Sequence, residues 1–474
     1  MSTGAPGYVF GMAKSYLERE RKFDVPPDFA LPPLTDQKPR THQLEAVYYD
    51  TDDALLQARG ATLRRRTGGN DAGWHLKVPH PGGKLELRAG LESPRPPREL
   101  LEVSRGLRFG QPLRRRLELT TMREAYEICS TDGELVAEVA DDRVIAVVPS
   151  SRATVRWREL EIELGPAGSQ EAMGRLTSRL REAGATPATA ESKYARAVGE
   201  PTRPQLSGLT ELVDDYLQAQ YDALAFGDLR MRRGENAVHK TRVAVRRVRS
   251  TLRVFGDIFD TERVASLDAE LRWYAELLGA VRDLDVAGRH LVEDLQGVRE
   301  LVPDRAAKTL LGWVGRERNQ AWARLQAVLN GRRYGVLMRE LAAWRREPPW
   351  AANFDNDPAA VRTFVKRART KSDKRLRQAE RADPDTVDEA FHRARKAAKR
   401  TRYAAELARP YLGKKAKKVA RKHEERQEEL GVRQDHRMLL ALLLRLAGQE
   451  PTEPEPAFAC GVLAEHHRAA LRQR

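Results

Sequence analysis

The sequence predicts a multidomain protein, in which an N-terminal antiparallel β-barrel of the α+β class precedes an all-α domain of duplicated helical bundles. Between residues 14 and 199, charged and apolar residues alternate with period two in several segments, which indicates strands with one apolar face. Pro201 and Pro204 then mark an extended connection. From Leu209 onward, Ala, Leu, Arg and Glu dominate with helical periodicity.

The composition points to a polyanionic partner. The 474 residues carry 84 Lys and Arg against 68 Asp and Glu, which gives a formal net charge of +16. Apolar stretches fall short of the roughly 20 residues that a membrane span requires, and residues 1–14 lack the apolar core of a signal peptide. Cys129 and Cys460 have no metal-ligand spacing. We therefore expect a cytoplasmic protein without a membrane partner.

The first domain is predicted to span residues 14–199. Its period-2 runs include 61–66, 74–78 and 160–164, and glycine and proline clusters separate them. Residues 171–182 have helical character, and Gly184 is the predicted end of that helix. A linker, 200–208, follows.

The helical domain, 209–474, contains an internal duplication. The pattern His-x-x-Arg-x-Ala-x-basic-basic-x-Arg begins at His239 and again at His392. Leu278-Gly279 recurs as Leu430-Gly431 at nearly the same spacing along the chain. Two independent matches at nearly one offset predict two related repeats, at about 209–345 and 359–474.

Each repeat is predicted to present a basic stripe on one face of a helix. At 100° per residue, the stripes gather His239, Arg242, Arg246 and Arg249 in the first repeat, and His392, Arg395, Lys399 and Arg402 in the second. A solvated helix face usually mixes charge signs at i,i+4, whereas these faces carry one sign and repel themselves. Because aromatic stacking residues are few, a chain of phosphates fits better than a specific nucleic acid. An ordinary solvated face is the alternative.

The duplicated helices and the segment Leu278-Gly279-Ala280-Val281-Arg282-Asp283-Leu284-Asp285 resemble the CHAD domain. The resemblance covers roughly 209–474 and implies a helical domain that binds inorganic polyphosphate through the two stripes. The second repeat departs from the pattern, since Val432-Arg433-Gln434-Asp435 follows Leu430-Gly431.

Acidic and basic residues share strand faces in the first domain. Glu18, Glu20 and Lys22 alternate on one strand, as do Arg64 with Arg66 and His75 with Lys77 on others, while Glu159, Glu161 and Glu163 line a strand whose other side is apolar. A single strand with this alternation of charges could also be a solvent-exposed edge strand. Closed into a barrel, the strands would enclose a charged tunnel, and a divalent metal with a polyanion would compensate its charges.

The same residues resemble the CYTH superfamily, the triphosphate tunnel metalloenzymes, over about 14–199. Glu18-Arg19-Glu20-Arg21-Lys22 matches its Glu-x-Glu-x-Lys signature, and the later strands follow in order. The resemblance implies a catalytic group of Lys22, Glu18 and Glu20. It implies triphosphate binding by Arg64, Arg66, Lys77, Arg88, Arg123 and Lys193. It implies binding of Mg²⁺ or Mn²⁺ by Glu18, Glu20, Asp142, Glu159, Glu161 and Glu163.

Together these resemblances predict metal-dependent hydrolysis of inorganic triphosphate or a related triphosphate, combined with polyphosphate binding. The alternative is a non-catalytic polyphosphate-binding protein associated with polyphosphate granules. Cyclase chemistry on ATP is a third hypothesis, without a recognisable adenine pocket, and non-specific nucleic-acid binding is a fourth. The oligomeric state is left open.

Overall fold

The computed structural model describes residues 14–201, 205–383, 385–449 and 454–472. They form two compact units, one before and one after residues 202–204. The predicted linker includes those three residues, which lie outside the described part of the chain. Within the described part, no helix combines the length and the apolar character that crossing a bilayer would take.

The first unit is a curled antiparallel sheet with three α-helices. Its strands are β1 (Lys14–Glu18), β2 (Glu20–Val25), β3 (Arg40–Asp50), β4 (Thr62–Thr67), β5 (Gly73–His80), β6 (Gly83–Ala89), β7 (Arg114–Cys129), β8 (Leu135–Val148), β9 (Ala153–Leu164) and β10 (Thr186–Pro187). Its helices are α1 (Arg98–Val103), α2 (Gln170–Glu182) and α3 (Lys193–Val198). The predicted antiparallel β architecture is confirmed.

The strand order explains the curl. It runs β1-β6-β5-β4-β3-β7-β8-β9-β2-β10, and the pairings are antiparallel. Only Arg19 separates β1 from β2, yet β1 pairs with β6 and β2 pairs with β9. The backbone N–H of Leu164 in β9 donates to the carbonyl of Arg19 at 3.0 Å. The sheet therefore bends round to its own N-terminal strands, with one concave face.

Apolar side chains of the sheet pack away from the charged face. Phe23, Leu160 and Ile162 are buried against α2, which contributes Met173 and Leu180. The helix begins at a capping serine, because the Ser169 side chain accepts a hydrogen bond from the N–H of Ala172 at 3.1 Å. Period-2 alternation thus places the charges of β2 and β9 together on the opposite face.

Arg158 fastens the segment after β2 to the sheet. Its guanidinium donates to both oxygens of Asp141, at 2.9 and 2.6 Å, and to the carbonyls of Pro27 and Phe29. Arg158→Ala would leave Asp141 buried without its cation. We expect a loss of about 3–5 kcal/mol in the free energy of unfolding. Urea denaturation measures it, and the exposed Arg156→Ala is the control; equal stabilities would contradict the assignment.

The second unit is helical, and its predicted all-α character is confirmed. Its α-helices are α4 (Gly208–Arg232), α5 (Val238–Val254), α6 (Thr261–Gly297), α7 (Asp304–Asn330), α8 (Arg332–Arg346), α9 (Val361–Glu380), α10 (Val387–Leu407), α11 (Arg409–Leu412), α12 (Lys414–Gln449) and α13 (Pro454–Arg472).

The duplication is visible in the packing of this unit. A Cβ added at Gly279 of α6 would lie 3.4 Å from Nη2 of Arg242, and one added at Gly431 of α12 would lie 3.1 Å from Nη2 of Arg395. In each repeat, the first arginine of the basic stripe therefore packs against an equivalent glycine of a neighbouring helix. The recurring Leu-Gly pair gives these guanidinium groups the space to approach a neighbouring helix.

Candidate functional site

Strand register gathers charged side chains on the concave face of the first unit. Glu20 lies opposite Glu163, and Lys22 lies opposite Glu161. On the next pair of strands Asp142 lies opposite Glu159. Opposite residues of antiparallel strands have neighbouring side chains, so one face collects acids from β2, β8 and β9.

A compact ion cluster forms around Lys193, at the start of α3. Its ammonium lies 2.9 Å from Asp142, 2.6 Å from Glu159 and 2.7 Å from Glu161, and we call these four residues the Lys193 cluster. Tyr194 stacks on Tyr48 of β3 with ring centroids 5.6 Å apart, which fixes the helix against the sheet. One ligand oxygen from each of the three carboxylates lies within 4.8 Å of the others. The Lys193 ammonium already occupies the position among these carboxylates that a metal ion would take.

Arg123 joins the Lys193 cluster from β7. It donates to both oxygens of Asp142 at 2.7 and 2.6 Å and to Glu161 at 2.8 Å. Burial opposes the charge on Glu161, but Lys193 and Lys22 hold the pKa of that carboxyl well below its ordinary value. Glu161 therefore remains ionised and paired.

A second acidic group, which we call the Glu18 cluster, consists of Glu18, Glu20 and Glu163. Lys77 lies 2.7 Å from Glu18, while Lys84 and Lys22 lie 2.9 and 3.2 Å from Glu20. The structure records no ion pair for Glu163 to any described residue. This cluster has fewer neutralising contacts than the Lys193 cluster.

The pKa values in the Glu18 cluster reflect burial, which raises them, and the nearby lysines, which lower them. Burial raises the pKa of Glu18 to about 7, and the carboxylates of Glu86 and Glu163 contribute. Burial also raises the pKa of Glu163, with added repulsion from Glu161 and Glu20. For Glu20 the nearby lysines outweigh burial and lower the pKa to about 2. An additional cation would stabilise these carboxylates.

Arginines accumulate on another part of the same face. Arg64 donates to the hydroxyl of Tyr48 at 3.3 Å, and Arg66 contacts Asp71. Burial lowers the pKa of Arg66 to about 9, and the charges on Arg64 and Arg123 add to the effect. The Nε atoms of Arg64 and Arg66 are buried and without a hydrogen-bond partner among the described groups. An anion bound here would relieve this repulsion.

The buried carboxylate of Glu86 was missed in the sequence-based prediction. It accepts a hydrogen bond from His75 Nδ1 at 2.8 Å, lies 3.6 Å from Lys77 and contacts Arg88. Arg88 lies 3.9 Å from Glu18 and its guanidinium stacks over Tyr16. The alternation in Lys84-Leu85-Glu86-Leu87-Arg88 places all three charged residues on one face and could have identified Glu86 and Lys84.

The two predicted basic stripes face each other in the helical unit. Arg246 of α5 donates to the Tyr403 hydroxyl of α10 at 3.3 Å. Burial, together with the charges on Arg246 and Arg395, lowers the pKa of the Lys399 ammonium to about 6. We use the term basic groove for the side chains of Arg242, Arg246, Arg395 and Lys399.

The far ends of both stripes are neutralised by acids. Arg249 donates to Asp268 of α6 at 2.8 Å. Arg402 lies 2.9 Å from Glu406 and 2.7 Å from Glu424. These acids come from other helical turns or other helices, so the stripe sequences alone could not reveal them.

His239 and His392 are the first residues of the two basic stripes. Nδ1 of His392 lies 3.0 Å from Oε1 of Gln434. Burial lowers the pKa of His239, and the charges on Arg282 and Arg246 lower it further. The pKa of His392 is lowered by burial and by Lys396. Both imidazoles therefore lie close to cations and would be stabilised as charged donors by an anion.

Family models match both halves of the chain. The CYTH domain model matches residues 17–194, and the CHAD domain model matches residues 215–444. The chain belongs to the CYTH-CHAD proteins. The CYTH domain is a triphosphate tunnel metalloenzyme fold, and domains of this family are metal-dependent.

One relative spans almost the whole chain, and two solved structures resemble a little more than half of it. The uncharacterized protein Rv2226 of Mycobacterium tuberculosis is 32% identical over 97% of this chain and 94% of its own. PptA from Streptomyces chartreusis is 21% identical, covers 56% of this chain and 99% of its own, and has a TM-score of 0.46. The CHAD domain from the plant Ricinus communis is 26% identical, covers 58% of this chain and 93% of its own, and has a TM-score of 0.46.

The donor set of the CYTH domain fits a hard divalent cation. Carboxylate oxygens are the ligands that Mg²⁺ and Mn²⁺ prefer, and the Glu18 cluster supplies three side chains of this type. Burial raises the pKa values of Glu18 and Glu163 despite the nearby Lys77, and a bound cation would favour their ionised forms. The Lys193 cluster also offers carboxylates, but its own ammonium holds them.

Proposed function

We propose that the CYTH domain hydrolyses inorganic triphosphate, or a related triphosphate, in the presence of Mg²⁺ or Mn²⁺, and that the CHAD domain binds inorganic polyphosphate. The observation that carries the proposal is the separation of charge on one concave face. Arg64 and Arg66 place like charges together on one part of that face, while the buried carboxylates of Glu18 and Glu163, whose pKa values are raised, lie on another. A metal–triphosphate complex supplies both missing counter-charges.

Glu18, Glu20 and Glu163 would hold the metal. When bound, it supplies charge neutralisation on the phosphate oxygens and lowers the pKa of a bound water. Lys22 contacts Glu161 and lies 3.2 Å from Glu20. Because its pKa is raised by these acids despite burial, Lys22 stays protonated and positions the carboxylates.

The arginines of the same face would bind the phosphates. The guanidinium fork of Arg64 and Arg66 matches phosphate oxygens bidentately and places positive charge where negative charge develops during P–O cleavage. Lys77 lies 2.7 Å and Arg88 3.9 Å from Glu18, and their cationic groups would bind the phosphates beside that carboxylate. Arg123 and Lys193 hold Asp142 and Glu161 in place, which orients the acidic wall of the site.

A product assay tests the catalytic proposal. Purified full-length protein is incubated with Mg²⁺ or Mn²⁺ and with triphosphate, longer polyphosphate or ATP, and phosphate, pyrophosphate and cyclic nucleotide are quantified. We expect phosphate and pyrophosphate from triphosphate, and loss of both products when the metal is chelated. Binding of triphosphate without turnover would instead favour the non-catalytic alternative, and cyclic AMP from ATP would favour cyclase chemistry.

Polyphosphate binding is supported by the basic groove, where four basic side chains from two helices meet. The low pKa of Lys399 results from burial and from neighbouring charges of the same sign. A chain of phosphates would offset those charges and pair with the guanidinium groups.

Lys399 gives this proposal a pH signature. Its pKa in the folded chain, about 6, lies below the ordinary value of 10.5, so the unfolded chain binds more protons between these pH values and stability rises with pH there. A bound polyanion raises the pKa again. At about pH 8 we therefore expect uptake of up to about one proton at Lys399 on polyphosphate binding, and tighter binding as the pH falls toward 6.

Isothermal titration calorimetry in buffers of different ionisation enthalpy measures this proton uptake. Lys399→Met should remove most of the uptake at about pH 8, where His239 and His392 contribute less because their pKa values are lowered. Lys417→Met, on the exposed start of α12, is the control. Unchanged proton uptake in Lys399→Met would argue against a buried, neutral Lys399 in the free domain.

A further inference from the structure

Helix α9 is the counterpart of α4 in the second repeat of the CHAD domain. The offset that relates His239 to His392 carries Gly208, the first residue of α4, onto Val361, the first residue of α9. Each helix directly precedes the stripe helix of its repeat, α5 or α10. The two helices can therefore be compared position by position.

The two helices differ on one face. In α4 this face is apolar and buried, and it includes Val213 and Tyr221, which are at most 1% exposed. The corresponding residues of α9 are Lys366 and Lys374, and both are exposed. A face that belongs to the core in the first repeat is thus a charged surface in the second.

This surface of α9 carries one sign of charge. We use the term α9 face for its basic side chains, which are Lys366, Arg367, Lys371, Lys374 and Arg375. Among the described residues, only Arg367 of this set is recorded in an ion pair, with Asp257 at 2.8 Å. Asp373 of the same helix lies on another side and binds Arg426 of α12 at 2.8 Å. Like charges at i,i+4 repel each other, so a bound polyanion would stabilise the α9 face.

Two basic side chains of α10 continue the basic groove toward α9. Lys396 lies three residues before Lys399 of the groove and four before Arg400, so the three side chains are neighbours on the helix surface. Lys396 is exposed and Arg400 is half-buried. The structure records no ion pair from either of them to any described residue.

Helix α10 brings Arg400 to the α9 face. The two helices are in contact here, since Oγ1 of Thr401 donates to the carbonyl of Ala368 at 3.0 Å. Burial lowers the pKa of Arg400, and arginine charges that include Arg375 of the α9 face lower it further. Basic side chains therefore follow one another from the groove, across α10, to the exposed surface of α9.

We propose that the α9 face, with Lys396 and Arg400, binds the part of a long polyphosphate chain that extends beyond the basic groove. The inference rests on the proposed polyphosphate binding by the CHAD domain and specifies long chains as its ligand. From Lys366 to Arg375 the face is about 14 Å long, at about 1.5 Å per residue. It offers charge without aromatic platforms, which suits a chain of phosphates better than the bases of a single-stranded nucleic acid.

Affinity for chains of two lengths tests this surface. Full-length protein in EDTA, which prevents metal-dependent turnover, is titrated into end-labelled polyphosphate, either a short chain matched to the groove or a long chain. Lys366→Gln, Lys371→Gln and Lys374→Gln together should weaken long-chain binding by about tenfold or more, because three phosphate contacts are lost. At physiological salt, short-chain affinity should change by less than about twofold, because charges farther apart than about 8 Å are largely screened.

Equal loss of charge on α7 is the matched control. Arg305→Gln, Lys308→Gln and Arg316→Gln also remove three exposed cations, and we expect both affinities to stay within about twofold of wild type. Circular dichroism reports folding, and glutamine keeps the helix propensity of the residues it replaces. Equal long-chain losses in the two triple variants, or equal losses for short and long chains, would overturn the inference. Wild-type protein that binds neither chain would refute polyphosphate binding itself.

Lysine acetylation gives a readout without any substitution. Long-chain polyphosphate should slow the acetylation of Lys371 and Lys374, measured by mass spectrometry, and leave that of Lys308 unchanged. The short chain should protect none of the three. Equal protection by DNA or RNA at the same phosphate concentration would identify the α9 face as a non-specific nucleic-acid surface and would contradict the proposal.

Discussion

Replacement of Glu18 and Glu20 by glutamine should reduce triphosphate hydrolysis by about 10³-fold or more. The two substitutions remove charge from the acid-rich part of the concave face, where Glu18 has a pKa near 7 because of burial and neighbouring acids. Loss of metal binding removes several kcal/mol of transition-state stabilisation, and each 1.4 kcal/mol corresponds to about tenfold in rate.

The loss should appear in kcat, since Arg64 and Arg66 are untouched and triphosphate still has its cationic partners. Steady-state kinetics across a Mn²⁺ titration measures it, with the exposed Glu134→Gln of the β7–β8 turn as the matched control. Thermal unfolding checks that the double variant is folded. A folded double variant with activity within about tenfold of wild type would falsify the assignment of these carboxylates to the metal.

The second large effect is expected in the CHAD domain. Arg246→Ala combined with Arg395→Ala should weaken polyphosphate binding by about 10²- to 10⁴-fold, because each charge-assisted hydrogen bond contributes about 1.5–3 kcal/mol. Both arginines have lowered pKa values, with burial as the main cause, as expected for cations gathered without sufficient acids. The dependence of affinity on salt should also become shallower.

The stripe ends provide the matched control for this experiment. Arg249→Ala combined with Arg402→Ala removes two arginines from the same helices, but their guanidinium groups already bind Asp268 and Glu424. We expect less than about threefold loss of affinity, in the range of exposed ion pairs. Fluorescence anisotropy with labelled polyphosphate compares the two pairs. Equal losses would show that total charge, and not the groove, determines binding.

Local pattern was sufficient to predict which side chains share a face. Period-2 alternation placed Glu20 and Lys22 on one side of β2, and helical periodicity placed Arg242 and Arg246 on one side of α5. These are properties of one element each, and they follow from its geometry. The fold class and the family could therefore be predicted from the sequence.

Partners across elements could not be predicted in the same way. The three carboxylates around Lys193 depend on the register of β8 and β9 and on the position of α3, which tertiary packing sets. Asp268 and Glu424, which neutralise Arg249 and Arg402, lie on other helices.

Crystals of the full-length protein with triphosphate and Mn²⁺, measured at the manganese absorption edge, test the central claim most directly. We predict an anomalous peak bounded by Glu18, Glu20 and Glu163, with phosphate density against Arg64 and Arg66. An anomalous peak inside the Lys193 cluster, or phosphate density away from both arginines, would contradict the account.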